Sequence, residues 1–92
     1  MELQANMFKA LSDVNRIKIL ELLIKGESCS CELINELPIT QPTLSYHLKS
    51  LSEAGLITST KEGNRVNHKV RKDVVEELSI FLKDLLKATT TC

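Results

Sequence analysis

Two of the three cysteines in this 92-residue chain form the tripeptide Cys29-Ser30-Cys31. Thiolates are soft ligands, so a pair at this spacing selects soft, thiophilic ions. Ser30, followed by Cys31-Glu32-Leu33, reads as the N-cap of a short helix over 28–37. A helix N-terminus lowers a thiol's pKa and makes the ligating, nucleophilic form available near neutral pH. Glu32 falls at the positive end of the same dipole. Geometry adds a constraint, because residues i and i+2 inside a regular helix point about 200° apart and cannot share an ion. With Ser30 as the cap, Cys29 lies outside the helix and the two sulfurs can converge; with both helical, binding must unwind the turn. Cys92 ends the sequence, and it completes a trigonal site only if the tail folds back or crosses from a partner. The pair, or Cys92 between subunits, can instead oxidise. The plainest alternative is two small buried cysteines with no ligand.

No Ser/His/Asp or paired-carboxylate arrangement appears, so no catalysis is expected. His47 and His68 are separated in the chain and read as hydrogen-bonding structural residues. A zinc finger is excluded by ligand count. A thiol oxidoreductase is disfavoured because no βαβ pattern surrounds the cysteines.

The element after the cysteine helix organises the chain. In residues 40–55, Leu44, Leu48 and Leu51 fall at i, i+4 and i+7, one face of a helix. Thr40 is its N-cap, Pro42 sits in the first turn where no N–H is needed, and Gly55 suits the left-handed position past the end. Opposite the leucines lie Tyr46, Lys49 and Glu53, with Ser45 beside them and Gln41 at the helix start; His47 falls near the leucine edge. Hydroxyl, amide and phenol groups there can exchange hydrogen bonds with base edges, and Lys49 can reach phosphate. Only Pro38-Ile39 separates the cysteine helix from the Thr40 cap, which makes the two a helix-turn-helix whose second helix reads DNA.

Upstream, residues 2–11 read as a short helix, broken at Ser12-Asp13, and Asp13 caps a second helix over 14–25 that Gly26 ends. Ile17, Leu20, Leu23 and Ile24 keep helical spacing there, with Ile19 and Leu22 as a second apolar edge, so this helix is expected at the centre of the core. Downstream the period changes to two. Residues 56–60 and 65–70 flank the turn signal Glu62-Gly63-Asn64, a β-hairpin with Lys61 and Arg65 beside its tip. A hairpin behind a reading helix is a wing, and a basic tip can lie along the backbone or minor groove. A last helix is expected from Asp73, with Glu76 completing a capping box. Val74, Val75, Leu78, Phe81, Leu82, Leu85 and Leu86 make a stripe too wide for one small neighbour, so part of it is expected to meet a second subunit beside the first helix. Residues 88–92 read as a frayed tail.

The expected fold is therefore mainly α with a β-hairpin wing, in the order ααααββα: a single winged helix-turn-helix domain over 1–92, dimeric through its first and last helices. Charge supports a nucleic-acid partner. The total is zero, but residues 41–72 carry six basic against two acidic side chains, whereas 1–40 carry four against six and 73–92 two against four. Positive charge thus collects on the reading helix and the wing, where phosphate would lie. The sequence shows no run of about 18 apolar residues. It also lacks a signal-peptide pattern, and its cysteine number is odd, so no membrane and a reducing cytoplasm are expected.

The sequence resembles the ArsR/SmtB family of bacterial metal-sensing repressors. The resemblance rests on Ala10-Leu11-Ser12-Asp13, Asn15-Arg16 and Ile19-Leu20. It continues through Gly26-Glu27-Ser28-Cys29-Ser30-Cys31-Glu32-Leu33, the run from Gln41 through Leu51, Gly55-Leu56-Ile57 and Lys61-Glu62-Gly63. It implies a homodimeric repressor that binds a palindromic operator in double-stranded DNA and leaves it when a toxic ion binds. By that likeness Gln41, Thr43, Ser45 and Tyr46 face the major groove, Lys49, Lys61 and Arg65 serve phosphate, and Cys29 and Cys31 bind trivalent arsenic or antimony, As(III) or Sb(III). Arsenic repressors of this type often add a third thiolate one turn on, where this chain has Ile34 and Asn35, which leaves Cys92 as the candidate third ligand. The family's cadmium or lead site calls for ligands in an N-terminal extension, which this sequence is not expected to supply. Its zinc site calls for histidine in the last helix, where residues 73–86 hold none. Two other functions stay open: a repressor that senses thiol oxidation through the same cysteines, and a winged-helix module that binds protein rather than DNA.

Overall fold

A computed structural model describes residues 2–90, with side chains through 87. The order is α1 (Glu2–Ala10), α2 (Val14–Lys25), α3 (Ser30–Glu36), α4 (Gln41–Glu53), β1 (Ile57–Glu62), β2 (Arg65–Val70) and α5 (Lys72–Thr90). This is the expected winged helix-turn-helix.

Local chemistry sets the boundaries. The Asp13 carboxylate accepts from the N–H groups of Asn15 (2.8 Å) and Arg16 (3.3 Å) and so starts α2. Gly26 ends it at φ +112°, a left-handed conformation that costs glycine little. The Thr40 hydroxyl accepts from the Thr43 N–H at 3.4 Å and caps α4. The strands pair antiparallel from Ile57↔Val70 to Glu62↔Arg65. Only Gly63-Asn64 joins them, with φ +62° at the glycine, as a two-residue hairpin loop with Gly first requires.

Helix α4 lies at the centre, packed against α1, α2, α3 and β1. Leu44, Leu48 and Leu51 are buried, as their spacing requires, and they join Ile19, Leu22, Leu33, Leu37, Leu56, Ile57, Val74 and Leu78 in one core. Two expectations need correction. In α2 the core face is the Ile19/Leu22 edge: Ile19 is fully buried, whereas Ile17 and Ile24 are 44% and 76% exposed. Apolar residues circle that helix on nearly every side, so periodicity alone could not choose the face. The last helix starts one residue before Asp73 and runs to Thr90, past the start of the expected tail. Asp73 sits inside the first turn, where its carboxylate pairs with Arg71 at 2.8 Å instead of serving as the cap.

Only the first part of α5 reaches this core. Val74 and Leu78 are buried, but Ile80, Leu82 and Leu85 are about half exposed (52%, 46% and 50%). Nineteen residues make a helix about 28 Å long, and the molecule measures 53 × 24 × 24 Å. Phe81 meets Phe8 of α1 with ring centroids 6.2 Å apart, so the apolar stripes of α1 and α5 adjoin. Among the described residues no helix is long and apolar enough to cross a membrane.

Candidate thiol site and nucleic-acid interface

Cys29, not Ser30, caps α3. Its backbone is extended (φ −92°, ψ 153°) and its Sγ accepts from the Glu32 N–H at 3.3 Å. Glu32 reaches back to the N–H groups of Ser28 (3.0 Å) and Cys29 (3.1 Å), completing a capping box. The expected cap is displaced by one residue because Cys29 belongs to the wing as well. It bridges Asn67 of β2, and the His68 N–H donates to the Ser28 carbonyl at 2.8 Å. Residues 28 and 29 thus touch β2 through one isolated bridge and one backbone hydrogen bond, and the helix starts directly after that contact.

This placement resolves the geometric problem of an i, i+2 pair. Cys29 is outside the helix, its Cα is 5.2 Å from that of Cys31, and the two sulfurs are joined as a disulfide. Cys29 is 1% exposed and Cys31 is exposed, so access is from the Cys31 side. There the pair borders a cavity of about 250 Å³ whose other walls include Gln41 of α4 and Asn64, Arg65 and Val66 of the wing. Among the described residues no group of three or more Cys, His, Asp or Glu is arranged to hold a metal ion. Cys92 lies outside the described residues.

The electrostatics tighten the same turn. Backbone N–H groups of Cys29 and Ser28, with a smaller contribution from Arg65, hold the Glu32 carboxyl below the usual carboxylate range despite an opposing desolvation effect. Arg65 Nη2 is 3.8 Å from that carboxylate, so the wing tip is tied to the cap. His68, 7% exposed, bridges the same elements. Its Nε2 is 2.9 Å from the Ser30 hydroxyl and its Nδ1 is 2.7 Å from the Ser59 hydroxyl. Burial pushes its pKa down and so favours the neutral ring.

The expected DNA-facing side chains share a distribution that suits contact with a duplex. Gln41, Thr43, Ser45, Tyr46 and Lys49 on α4 and Lys61 and Arg65 at the wing tip are all exposed, with Tyr46 at 61%. Thr43 is partly engaged within the protein, since its hydroxyl accepts from that of Thr40 at 3.0 Å. Ser45 and Lys49 line a groove of about 410 Å³ between α4 and the wing.

Arg16 belongs to the Asn15-Arg16 pair that carries part of the resemblance, but its role is not legible there, because its partners lie about thirty residues on. Its Nε donates to Nδ1 of the buried His47 at 3.0 Å, and its guanidinium stands 5.5 Å from the Tyr46 ring centroid. The start of α2 thereby fixes the roll of α4. Ser59 and Asn67 were missed for the same reason: only the hairpin's register brings them to the cysteine turn.

Residues 13–59 match the profile described as bacterial regulatory protein, arsR family. An arsenical resistance operon repressor of Staphylococcus aureus is 41% identical over 81 residues, covering 84% of this chain and 78% of that protein. A crystal structure of an ArsR-family transcriptional regulator superposes with a TM-score of 0.91 over 99% of this chain and 94% of its own. At 22% identity that likeness speaks to the fold. A possible ArsR-family DNA-binding domain from Mycobacterium bovis, solved as a homodimeric winged helix-turn-helix, has a TM-score of 0.75 at 26% identity, covering 91% of this chain and 79% of its own. The matched profile and the 41%-identical relative show the family: this chain belongs to the arsR family of bacterial regulatory proteins and is a winged helix-turn-helix transcriptional regulator.

Proposed function

We propose that this protein is a homodimeric repressor in the cytoplasm that holds a palindromic operator and releases it when As(III) or Sb(III) binds Cys29 and Cys31. The observation that carries this reading is the convergence of both sulfurs on a cavity that Gln41 and Arg65 also line. An ion held there touches the same small volume as the first residue of the reading helix and the tip of the wing. Soft sulfur donors fit a thiophilic ion, and two of them leave a third position for which Cys92 is a candidate. The arsenical relative supports the choice of ion.

The dimer follows from α1 and α5. Leu3 of α1 and Leu82 and Leu85 of α5 are exposed at 71%, 46% and 50%, and the two helices meet at Phe8 and Phe81. A second copy would bury these stripes and set two α4 helices at half-site spacing. Gln41, Thr43, Ser45 and Tyr46 read bases, and Lys49, Lys61 and Arg65 hold phosphate. Ion binding then biases an arrangement whose reading helices no longer match the half-sites, with a coupling free energy of about 1–3 kcal/mol typical of such switches.

The test is operator binding by fluorescence anisotropy, with and without arsenite, on the reduced wild type, Cys29→Ser and Cys92→Ser. Arsenite should weaken the wild type and leave Cys29→Ser unaffected. A wild type indifferent to arsenite and antimonite would end the effector assignment, and loss of response in Cys92→Ser would make that residue a ligand. One observation favours a second reading: the cysteines are already joined as a disulfide, so oxidation of the same pair could serve as the signal, and oxidant-driven release without metalloid would establish it.

A further inference from the structure

We propose that His68 is a positioning residue that carries any change at the cysteine pair to the wing, through hydrogen bonds to Ser30 and Ser59. The proposal rests on the reading of Cys29 and Cys31 as the sensing pair, but not on which reagent they sense.

The geometry is specific. Ser30 is the residue between the two cysteines, and its hydroxyl is 2.9 Å from His68 Nε2. On the other side of the ring, Nδ1 is 2.7 Å from the hydroxyl of Ser59 in β1. The ring itself belongs to β2 and is almost fully buried. A neutral imidazole carries one N–H donor and one acceptor nitrogen. One serine must therefore accept from the ring while the other donates to it, and the ring's tautomer fixes which is which. In either tautomer both ring nitrogens keep a hydroxyl partner, so the chain Ser30–His68–Ser59 can be set in either of two directions, and a two-setting element is what an allosteric link needs.

The cysteines act directly on one end of that chain. An ion or a disulfide between Cys29 and Cys31 sets the spacing of their sulfurs and thus the orientation of the residue between them. The Ser30 hydroxyl cannot turn without changing what it offers the ring. Ser28 and Cys29 are themselves pinned to β2 by the His68 N–H and the Asn67 bridge, which gives the turn a direct backbone link to the wing beside the one through the ring. With that pairing held, the free variable is the Ser30 side chain. On the far side Ser59 lies in β1 two residues before Lys61, which places this end of the chain beside the wing tip.

Ser30→Ala removes the link without touching a thiol, and alanine is well tolerated in a first helical turn. Ser30→Thr restores the hydroxyl. Two readouts are required: operator affinity by anisotropy, and the ring-nitrogen shifts of His68 by 1H–15N NMR, which report tautomer and hydrogen bonding. Each is measured on reduced protein, on protein with arsenite, and on protein oxidised with diamide. In the wild type at least one of the two reagents should shift the His68 ring nitrogens and lower operator affinity by about 5- to 150-fold. In Ser30→Ala both responses should fall to less than about threefold, with reduced-state operator affinity within threefold of the wild type, and Ser30→Thr should recover them. If arsenite has no effect while diamide produces the full Ser30-dependent pattern, the metalloid reading fails and the link stands. If Ser30→Ala and Ser59→Ala respond as strongly as the wild type, or if neither reagent moves the His68 ring in the wild type, the link is wrong.

Discussion

Replacing Lys61 with glutamine should lower the salt dependence of operator binding by a predictable amount. Lys61 is exposed in β1 opposite Val66, one pair from the Gly63-Asn64 loop, so each wing of a dimer carries one such ammonium at its tip. Each phosphate neutralised by a protein cation contributes about −0.9 to the slope of log affinity against log salt concentration. Removing Lys61 from both subunits should therefore make the slope shallower by roughly 1.8, equivalent to a loss of roughly 60-fold near 0.1 M salt. Arg65→Gln should do less, since Glu32 lies 3.8 Å from its guanidinium and already offsets part of the charge. The assay is anisotropy of a labelled operator duplex over about 50–200 mM salt. An unchanged slope for Lys61→Gln would show that the wing tip does not touch the backbone, and the assignment of this hairpin as a DNA contact would be refuted.

Other outcomes follow from burial and charge. Leu51→Ala, at a fully buried position of α4, should cost about 2–5 kcal/mol, and thermal melts followed by circular dichroism should fall by roughly 10–25 °C. Because the folded state lowers the pKa of His68 below its ordinary 6.5, the unfolded chain binds more protons in that range. Stability should therefore be full above about pH 6.5 and decline as the pH falls through the folded value. His68→Gln should be less stable at neutral pH but show a shallower decline in melting temperature between about pH 7 and 5. Leu82→Glu with Leu85→Glu, at half-exposed positions of α5, should weaken a dimer by about 4 kcal/mol over four leucines. Sedimentation should then report a monomer at micromolar concentration, with helical content unchanged.

Much of this molecule is written in local chemistry. Caps at Asp13 and Thr40, the glycine stops and the 3.6-residue spacing of Leu44, Leu48 and Leu51 depend on neighbours a few residues away, so the order of elements can be read without coordinates. The change to period two after Gly55 likewise announces the wing. The exposure of Tyr46 and the burial of His47 follow from one helical wheel. What failed was choice among equivalent local options. Both edges of α2 are apolar, and only its packing against α4 and β2 decided which is inside.

Ser30 and Cys29 are adjacent residues each able to accept from a helix N–H, and local sequence could not rank them. The bridge from Cys29 to Asn67 of β2 accompanies the choice of Cys29, which leaves Cys29 outside the helix and within reach of Cys31. The sequence by itself determined the pair of soft sulfurs, the amphipathic helix α4 and the basic wing, because those are properties of residue type and short-range spacing. Tertiary structure alone decided that the two cysteines, Gln41, Arg65 and His68 share one small region, because hydrogen-bond register and side-chain direction across thirty to forty residues are set only when the chain closes on itself.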